Sequence, residues 1–309
     1  MTGSAKHSAA YYVRSVLRQT WDHPSNGDRR VRALCAAVVW QLRKRVGGRP
    51  RIVPYFGWRL WCYPDSNSAS NVIYFTERYD PDEMGFMIAY LRPGDGYIDV
   101  GANIGTYSLL AASIVGPTGF VEAFEPHAVA VRRFEENAVT NFIDNIAIHQ
   151  VAVTDSPGQV EFLQRFDVSN SIRTPTDAGE TVESVTAVAL DDVLPERSFS
   201  LGKLGVEGFE TAALRGGASF LRAANPPVWQ VEVLDHQLRK AGSSADELRR
   251  LLGDHGYLLG KYERESGAMH YLDEAEVPTN VWAVHRTAVD MVAERLAGGG
   301  AHLNGRGAS

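Results

Sequence analysis

The sequence predicts an α/β protein built on a largely parallel sheet, and three observations carry that expectation. A short apolar run, Tyr97 to Val100, follows the turn-forming Pro93-Gly94-Asp95-Gly96 and runs straight into glycines at 101 and 105. Such glycines allow tight turning and close backbone approach. The period then becomes helical, with Ile104, Tyr107, Ala111 and Ile114 recurring at steps of three and four. One face of that helix packs on the sheet, and its amino end points at whatever the glycine loop holds. Finally, Gly119-Phe-Val-Glu-Ala-Phe-Glu125-Pro126 reads as a second strand ending in an acid, 24 residues after Gly101. A nucleotide-type cofactor site is built this way, and an acid there can accept both hydroxyls of a ribose.

The glycine spacing narrows the cofactor. A pyrophosphate needs G-x-G-x-x-G, whereas here the spacing is G-x-x-x-G with Asn103 between. An NAD-dependent oxidoreductase therefore rests only on the shared layout and is disfavoured. Asp99-Val-Gly-Ala-Asn-Ile-Gly105 together with Phe124-Glu125-Pro126 resembles the FkbM-type family of S-adenosylmethionine-dependent methyltransferases, whose members carry a D-V-G-A-N-x-G turn and an F-E-P strand end. The resemblance spans about residues 90 to 285, continuing at Val151-Ala-Val-Thr-Asp155, Ala189-Leu-Asp-Asp192, Lys203-Leu-Gly-Val-Glu-Gly-Phe-Glu210 and Asn280-Val-Trp-Ala283.

That resemblance implies a Rossmann-like class I methyltransferase fold: a seven-stranded, mostly parallel sheet with helices on both faces and the last strand antiparallel. It implies S-adenosyl-L-methionine as methyl donor, held by Gly101, Asn103, Gly105 and Glu125, with Ala152 and its neighbours facing the adenine. Asp99 joins this set, although an acid within an apolar strand can also serve to hold the loop by hydrogen bonds. The implied acceptor is a hydroxyl of a sugar, secondary metabolite or other small molecule. The expected domains are an amino-terminal helical and β-hairpin extension over 1–90, a methyltransferase domain over 91–286, and a helix with a disordered tail over 287–309.

An alcohol acceptor must lose its proton at or near the transition state, which calls for a base at the carboxyl edge of the sheet. The family typically reads K-I-D-V-E-G there. This chain reads Lys203-Leu204-Gly205-Val206-Glu207-Gly208, with glycine where the aspartate is expected. A role as base or metal holder cannot be carried over to Gly205, and no metal ligands are assigned. Glu207 remains a catalytic candidate, joined by Glu232 and His236 on or just after the following strand. The competing reading makes Glu207 a cap of the next helix and His236 a surface histidine. Gly205 also keeps open a protein that binds the donor without catalysis.

Composition sets the outer limits. With 309 residues, 44% of them apolar and 10% aromatic, the chain can bury a real core. A net charge of −6 gives no general reason to expect nucleic-acid binding. No run approaches the ~20 apolar residues of a membrane span, and signal-peptide features are lacking. Cys35 and Cys62 form no metal-spaced or redox pair, so a soluble protein of the reducing cytoplasm is expected. Against that acidic background, residues 12–51 hold ten Lys or Arg but only Asp22 and Asp28, around the apolar Ala33 to Trp40. Two readings stay open: a helix docked on the catalytic domain, or peripheral contact with an anionic membrane or acidic partner.

The remaining elements follow from period and turn chemistry. Helices are predicted at 11–21 and 31–46, extended pieces at 51–56, 59–63 and 71–76, and a helix at 81–91. Aromatics from Tyr55 to Tyr79 suit either a core or a substrate entrance. Val131, Phe134, Ala138 and Phe142 mark an amphipathic helix after Pro126. Segments 146–154 and 159–165 read as a hairpin through Ser156-Pro157-Gly158-Gln159. The polar 167–183 reads as a lid or a surface loop. Strands are expected at 185–190, 201–206, 228–233, 257–259 and 281–285, with helices at 210–221 and 289–296. Ser244-Ala-Asp-Glu247 has capping-box spacing and predicts a helix over 245–254. The tail from Gly298 is expected to be disordered.

Overall fold

A computed structural model describes residues 9–55, 57–66, 80–163, 171–174, 177, 181–194, 196–272 and 278–298. The chain divides into two compact units, residues 1–81 and 82–309. The predicted segment 71–76, most of the aromatic stretch and the tail beyond 298 lie outside the described residues.

In the first unit α1 (Ala9–Asp22) and α2 (Arg30–Arg45) flank a 3₁₀ stretch, Pro24–Arg29, kinked at Gly27, and β1 (Arg51–Tyr55) pairs antiparallel with β2 (Trp58–Cys62). Thr20 and Asn26 are buried there. The Asn26 amide donates to the Thr20 carbonyl at 2.7 Å, tying the end of α1 to the turn. The Lys44 ammonium, at the end of α2, donates to the Ser66 carbonyl at 2.7 Å. Cys35 and Cys62 are both free thiols, and burial pushes the Cys62 thiol up to about 12.

The second unit holds the sheet. Its elements are α3 (Pro81–Tyr90), β3 (Gly96–Val100), α4 (Thr106–Val115), β4 (Phe120–Phe124), α5 (Ala128–Thr140), β5 (Ile146–His149), β6 (Ala152–Val153), β7 (Gly158–Leu163), β8 (Ser171–Ile172) and β9 (Val182–Val188). They continue with α6 (Leu190–Val193), β10 (Leu201–Leu204), α7 (Glu210–Arg215), α8 (Ala218–Arg222), β11 (Val228–Glu232), α9 (Asp235–Lys240), α10 (Ala245–Asp254), β12 (Tyr257–Glu263), β13 (Ala268–Tyr271), β14 (Asn280–His285) and α11 (Val289–Gly298).

The central sheet runs β13-β12-β14-β11-β10-β3-β4-β5. From β11 to β5 every pairing is parallel, and β14 enters antiparallel between β11 and β12. Seven of its strands are therefore those expected, with the last one antiparallel. The eighth, β13, folds back on β12 as an edge strand that the sequence reading missed. β3 is buried along its whole length, as a central parallel strand covered on both faces must be. Ile98, Val100, Phe124, Leu204, Trp229 and Val231 from adjacent strands join one core.

Two expectations need correction, and a third gains detail. Segments 146–154 and 159–165 do not form a hairpin with each other. β6 pairs parallel with β9, and β7 pairs antiparallel with the other edge of β9, giving a four-stranded sheet β6-β9-β7-β8. Gly158 sits at φ 156 rather than the value near +80° that a type II turn demands of its third residue, so the turn opens and releases β7. Of the stretch expected as a lid or loop, the described residues include β8, paired with β7, and the start of β9, while 167–170, 175–176 and 178–180 lie outside the described residues. The helix expected over 210–221 is broken at Gly216-Gly217. A side chain on Gly216 would reach within 2.2 Å of the Thr154 carbonyl oxygen, and the Asp191 carboxylate accepts the Ser219 amide at the start of the second piece.

The Ser244 half of the capping box forms, while the Glu247 carboxylate accepts Ser243 Oγ at 3.0 Å and pairs with Arg215. Ser244 Oγ accepts the Glu247 amide at 3.2 Å, satisfying one of the amides that every helix start leaves unpaired. Ser244→Ala is expected to cost about 1 kcal/mol of stability, read as a shift of the urea midpoint at unchanged slope.

Candidate active site

The carboxyl ends of β3, β4 and β10 and the near edge of the four-stranded sheet flank an open cleft. Val100, Gly101 and Asn103 line it from the first strand and its loop, and Phe124, Glu125 and Pro126 from the second. Val151, Ala152, Phe162 and Ile172 form an apolar wall, and Gly205, Val206 and Glu207 close the far side.

The loop after β3 owes its shape to three left-handed residues, Gly101 (φ 83), Asn103 (φ 50) and Gly105 (φ 85). A methyl on Gly101 would come within 1.9 Å of the Gly205 carbonyl oxygen, and one on Gly105 within 2.1 Å of the Phe134 ring. Both glycines are therefore demanded twice, by conformation and by space. Asn103 is the kind of residue that tolerates the left-handed region.

Glu125 locks this loop to the neighbouring strand. Its Oε2 accepts the Asn103 amide and its Oε1 the His127 amide, both at 2.9 Å. The carboxyl is nearly fully buried, and burial raises it to about 7 against the opposing pull of those two amides and of Lys203. Each oxygen keeps a lone pair for a further donor.

Asp99 lies beneath the loop, fully buried, and is not among the cleft-lining residues. It accepts Ser108 Oγ at 2.6 Å and pairs with the Lys203 ammonium at 3.3 Å. That ammonium also donates to the Gly101 carbonyl at 3.2 Å and sits 5.1 Å from the Tyr107 ring. Lys203 thus ties β10 to the glycine loop. Register places Asp99, Lys203 and Gln230 side by side across β3, β10 and β11, a buried polar row of which the sequence reading named only the first two.

Across the cleft, Glu207 adopts a left-handed conformation (φ 55) and accepts a hydrogen bond from the Gln237 side-chain amide. Burial, reinforced by the nearby Glu232 charge, raises its carboxyl to about 7. Glu207 does not cap the following helix. The buried Glu210 carboxylate accepts the Val206 and Gly208 amides at 3.0 and 3.2 Å, which fixes the loop that carries Glu207. Glu232 is half-buried at the end of β11, and His236 is exposed in the first turn of α9. Neither is among the residues lining the cleft.

The loop, the strand-ending acid and the K-L-G-V-E-G edge thus meet in one place. Comparison with known proteins places them in a family, because the model of the methyltransferase FkbM domain matches residues 99–259. The chain belongs to the FkbM methyltransferase family. It is a methyltransferase on that evidence. The 31-O-demethyl-FK506 methyltransferase FkbM of Streptomyces tacrolimicus is 30% identical over 203 residues, covering 55% of this chain and 75% of that protein.

Solved structures similar to this FkbM-family chain include a SAM-dependent O-methyltransferase from Thermotoga maritima (TM-score 0.40, 14% identity, 77% of this chain and 78% of that one). A precorrin-6y C5,15-methyltransferase from Geobacter metallireducens is another (0.37, 15%, 66% and 84%).

Phe162 and Ile172 are lining residues to which the sequence points in no way, whereas Val151 is a neighbour of Ala152 and Phe124 opens the F-E-P strand end. Phe162 and Ile172 reach the cleft because β7 and β8 pair beside it, a long-range arrangement with no local signal.

Proposed function

We propose that this methyltransferase takes its methyl group from S-adenosylmethionine and delivers it to a hydroxyl of a small molecule. One observation supports this reading above the others: Gly101, Asn103, Glu125, Ala152 and Glu207 line one cleft at the carboxyl edge of the sheet. The cleft suits the donor chemically. Two further lone pairs on Glu125 match two ribose hydroxyls, and the apolar wall of Phe124, Val151, Ala152, Phe162 and Ile172 matches an aromatic base. The donor, when bound, supplies an electrophilic methyl on a sulfonium.

The protein's part is to align the acceptor, exclude water and remove a proton. Glu207 is the base in this scheme. It faces the cleft, its loop is fixed by Glu210, and its carboxyl is poised near 7. Asp99, Lys203 and Ser108 hold the loop from beneath without touching the reacting atoms. Glu232 acts through Glu207 by charge, and the exposed His236 has no place in the scheme.

Calorimetric titration with S-adenosylmethionine and S-adenosylhomocysteine tests the donor. Micromolar binding of both supports the reading, and binding of neither defeats it.

Gly205 favours a second reading, a donor-binding protein without turnover. A side chain at 205 would meet only the Lys203 ammonium, at 3.2 Å, and the end of a lysine can shift. Gly205→Asp is therefore expected to fold with a melting temperature close to wild type and to gain a carboxylate beside Lys203. If the wild type methylates no hydroxyl in an acceptor screen and Gly205→Asp does, the second reading stands. Turnover by the wild type ends it.

A further inference from the structure

In the first unit, α2 buries Ala33, Ala37 and Trp40 along one side. Its other side is also apolar. Val31, Cys35, Val38, Leu42 and Val46 recur at steps of four, three, four and four, so they share one face, and all five are exposed. Val31 is 69%, Leu42 55% and Val46 81% exposed, with Val39 beside them at 48%. Scattered exposed apolar residues need no explanation, but a contiguous row of about 22 Å along a helix does.

The row has charged margins of one sign. At about 100° per residue, Arg32 and Arg43 fall along one edge and Arg45 along the other, and α2 contains no acid. An apolar hollow lined by Val16, Leu17, Ala37, Val38 and Leu42 extends the surface towards α1, which contributes the exposed Arg14 and Arg18. Ten of the chain's 31 Lys and Arg fall between residues 12 and 51, but only two of its 37 Asp and Glu.

An apolar ridge between cationic margins matches a surface that is greasy below and anionic above. The alternatives fit less well. A second copy would set like-charged margins against each other across a two-fold axis. A protein partner is usually anchored by aromatic side chains in a pocket, and this row is small, mostly β-branched and without an aromatic. Among the described residues no helix is long and apolar enough to cross a membrane, so the contact would be interfacial.

We propose that α2 lies flat on an anionic lipid surface, with Val31, Val38, Leu42 and Val46 at the acyl boundary and Arg32, Arg43 and Arg45 at the headgroups. The test is co-sedimentation of the full chain with vesicles of phosphatidylcholine alone and of phosphatidylcholine mixed with phosphatidylserine. Binding only to the mixed vesicles, weakening as salt rises, is expected. Arg32→Gln and Arg45→Gln should each lower the partition coefficient roughly five-fold.

The double variant Val38→Ser/Leu42→Ser should lower it more than about ten-fold at an unchanged melting temperature, since both side chains are exposed in the free protein. Equal binding to both vesicle types, or full binding by the double serine variant, overturns the proposal. Self-association that the double variant abolishes, without vesicle binding, also overturns it and assigns the row to a second copy.

Discussion

Replacing Glu207 with Gln is expected to lower kcat by about a hundred- to ten-thousand-fold while leaving donor affinity nearly intact, because general base catalysis is worth that much and the substitution keeps shape and polarity. The geometry makes the test sharp. Glu207 is held at φ 55 on a loop that Glu210 pins through two amides, so Gln occupies the same place but cannot take a proton. A base raised to about 7 must ionise before it works, so wild-type kcat should climb as pH rises through that value and level off above it. In the Gln variant that climb should vanish.

Glu232 contributes part of the elevation by like-charge repulsion, so Glu232→Gln should slide the wild-type profile to lower pH without flattening it. The linkage has a matching sign. Burial penalises the charged form of Glu207, so its cost to stability is full above about 7 and fades as pH falls towards the ordinary carboxylate range. Glu207→Gln should therefore melt no lower than wild type at alkaline pH. A Gln variant with wild-type kcat and an unaltered pH profile would remove Glu207 from the chemistry.

The parts of this site that were legible in the sequence are those written in local chemistry. Gly101 and Gly105 announce a strand-to-helix turn because only glycine tolerates both the left-handed backbone and the approach of Gly205 and Phe134. Glu125 is legible because it ends an apolar strand at a fixed distance from that turn. The roles of individual acids were less so. Glu207 and Glu210 stand three residues apart, and nothing in their spacing says that the second fixes the loop while the first faces the cleft. Only the burial of Glu210 under Val206 and Gly208 separates them.

The four-stranded sheet is not legible in the sequence for a related reason. Turn chemistry around Pro157-Gly158 speaks about neighbours in sequence, whereas Ala152 and Val153 find their partner at Ala187 and Val188. Strand pairing is settled by packing across such distances rather than by intrinsic preference. The break at Gly216-Gly217 did have a signal, a double glycine inside a helical period, and the close approach of Thr154 explains why it was used.

Glu125→Ala should weaken S-adenosylmethionine and S-adenosylhomocysteine alike, by about a hundred- to ten-thousand-fold, since a hydrogen bond to a charged acceptor contributes roughly 1.5–3 kcal/mol and two are at stake. The side chain has two duties, and the test must separate them. It accepts the Asn103 and His127 amides, which shapes the loop, and it offers its remaining lone pairs to the ribose. Glu125→Gln retains one acceptor oxygen but turns the other end into a donor facing an amide, so it should lose affinity while keeping the side-chain volume.

Stability moves the other way from affinity with pH. The ionised carboxyl is disfavoured by burial, so above about 7 its removal relieves a cost that offsets the two stranded amides, and the melting temperature of Glu125→Ala should shift little there. Donor affinity, by contrast, needs the ionised form and should rise in the wild type as pH passes through about 7, with no such rise in Glu125→Ala. Affinity lost at a preserved melting temperature, together with a vanished pH dependence, would show that Glu125 binds the donor and does more than hold the loop. Affinity and melting temperature lost together, with the pH dependence intact in Glu125→Gln, would show the opposite.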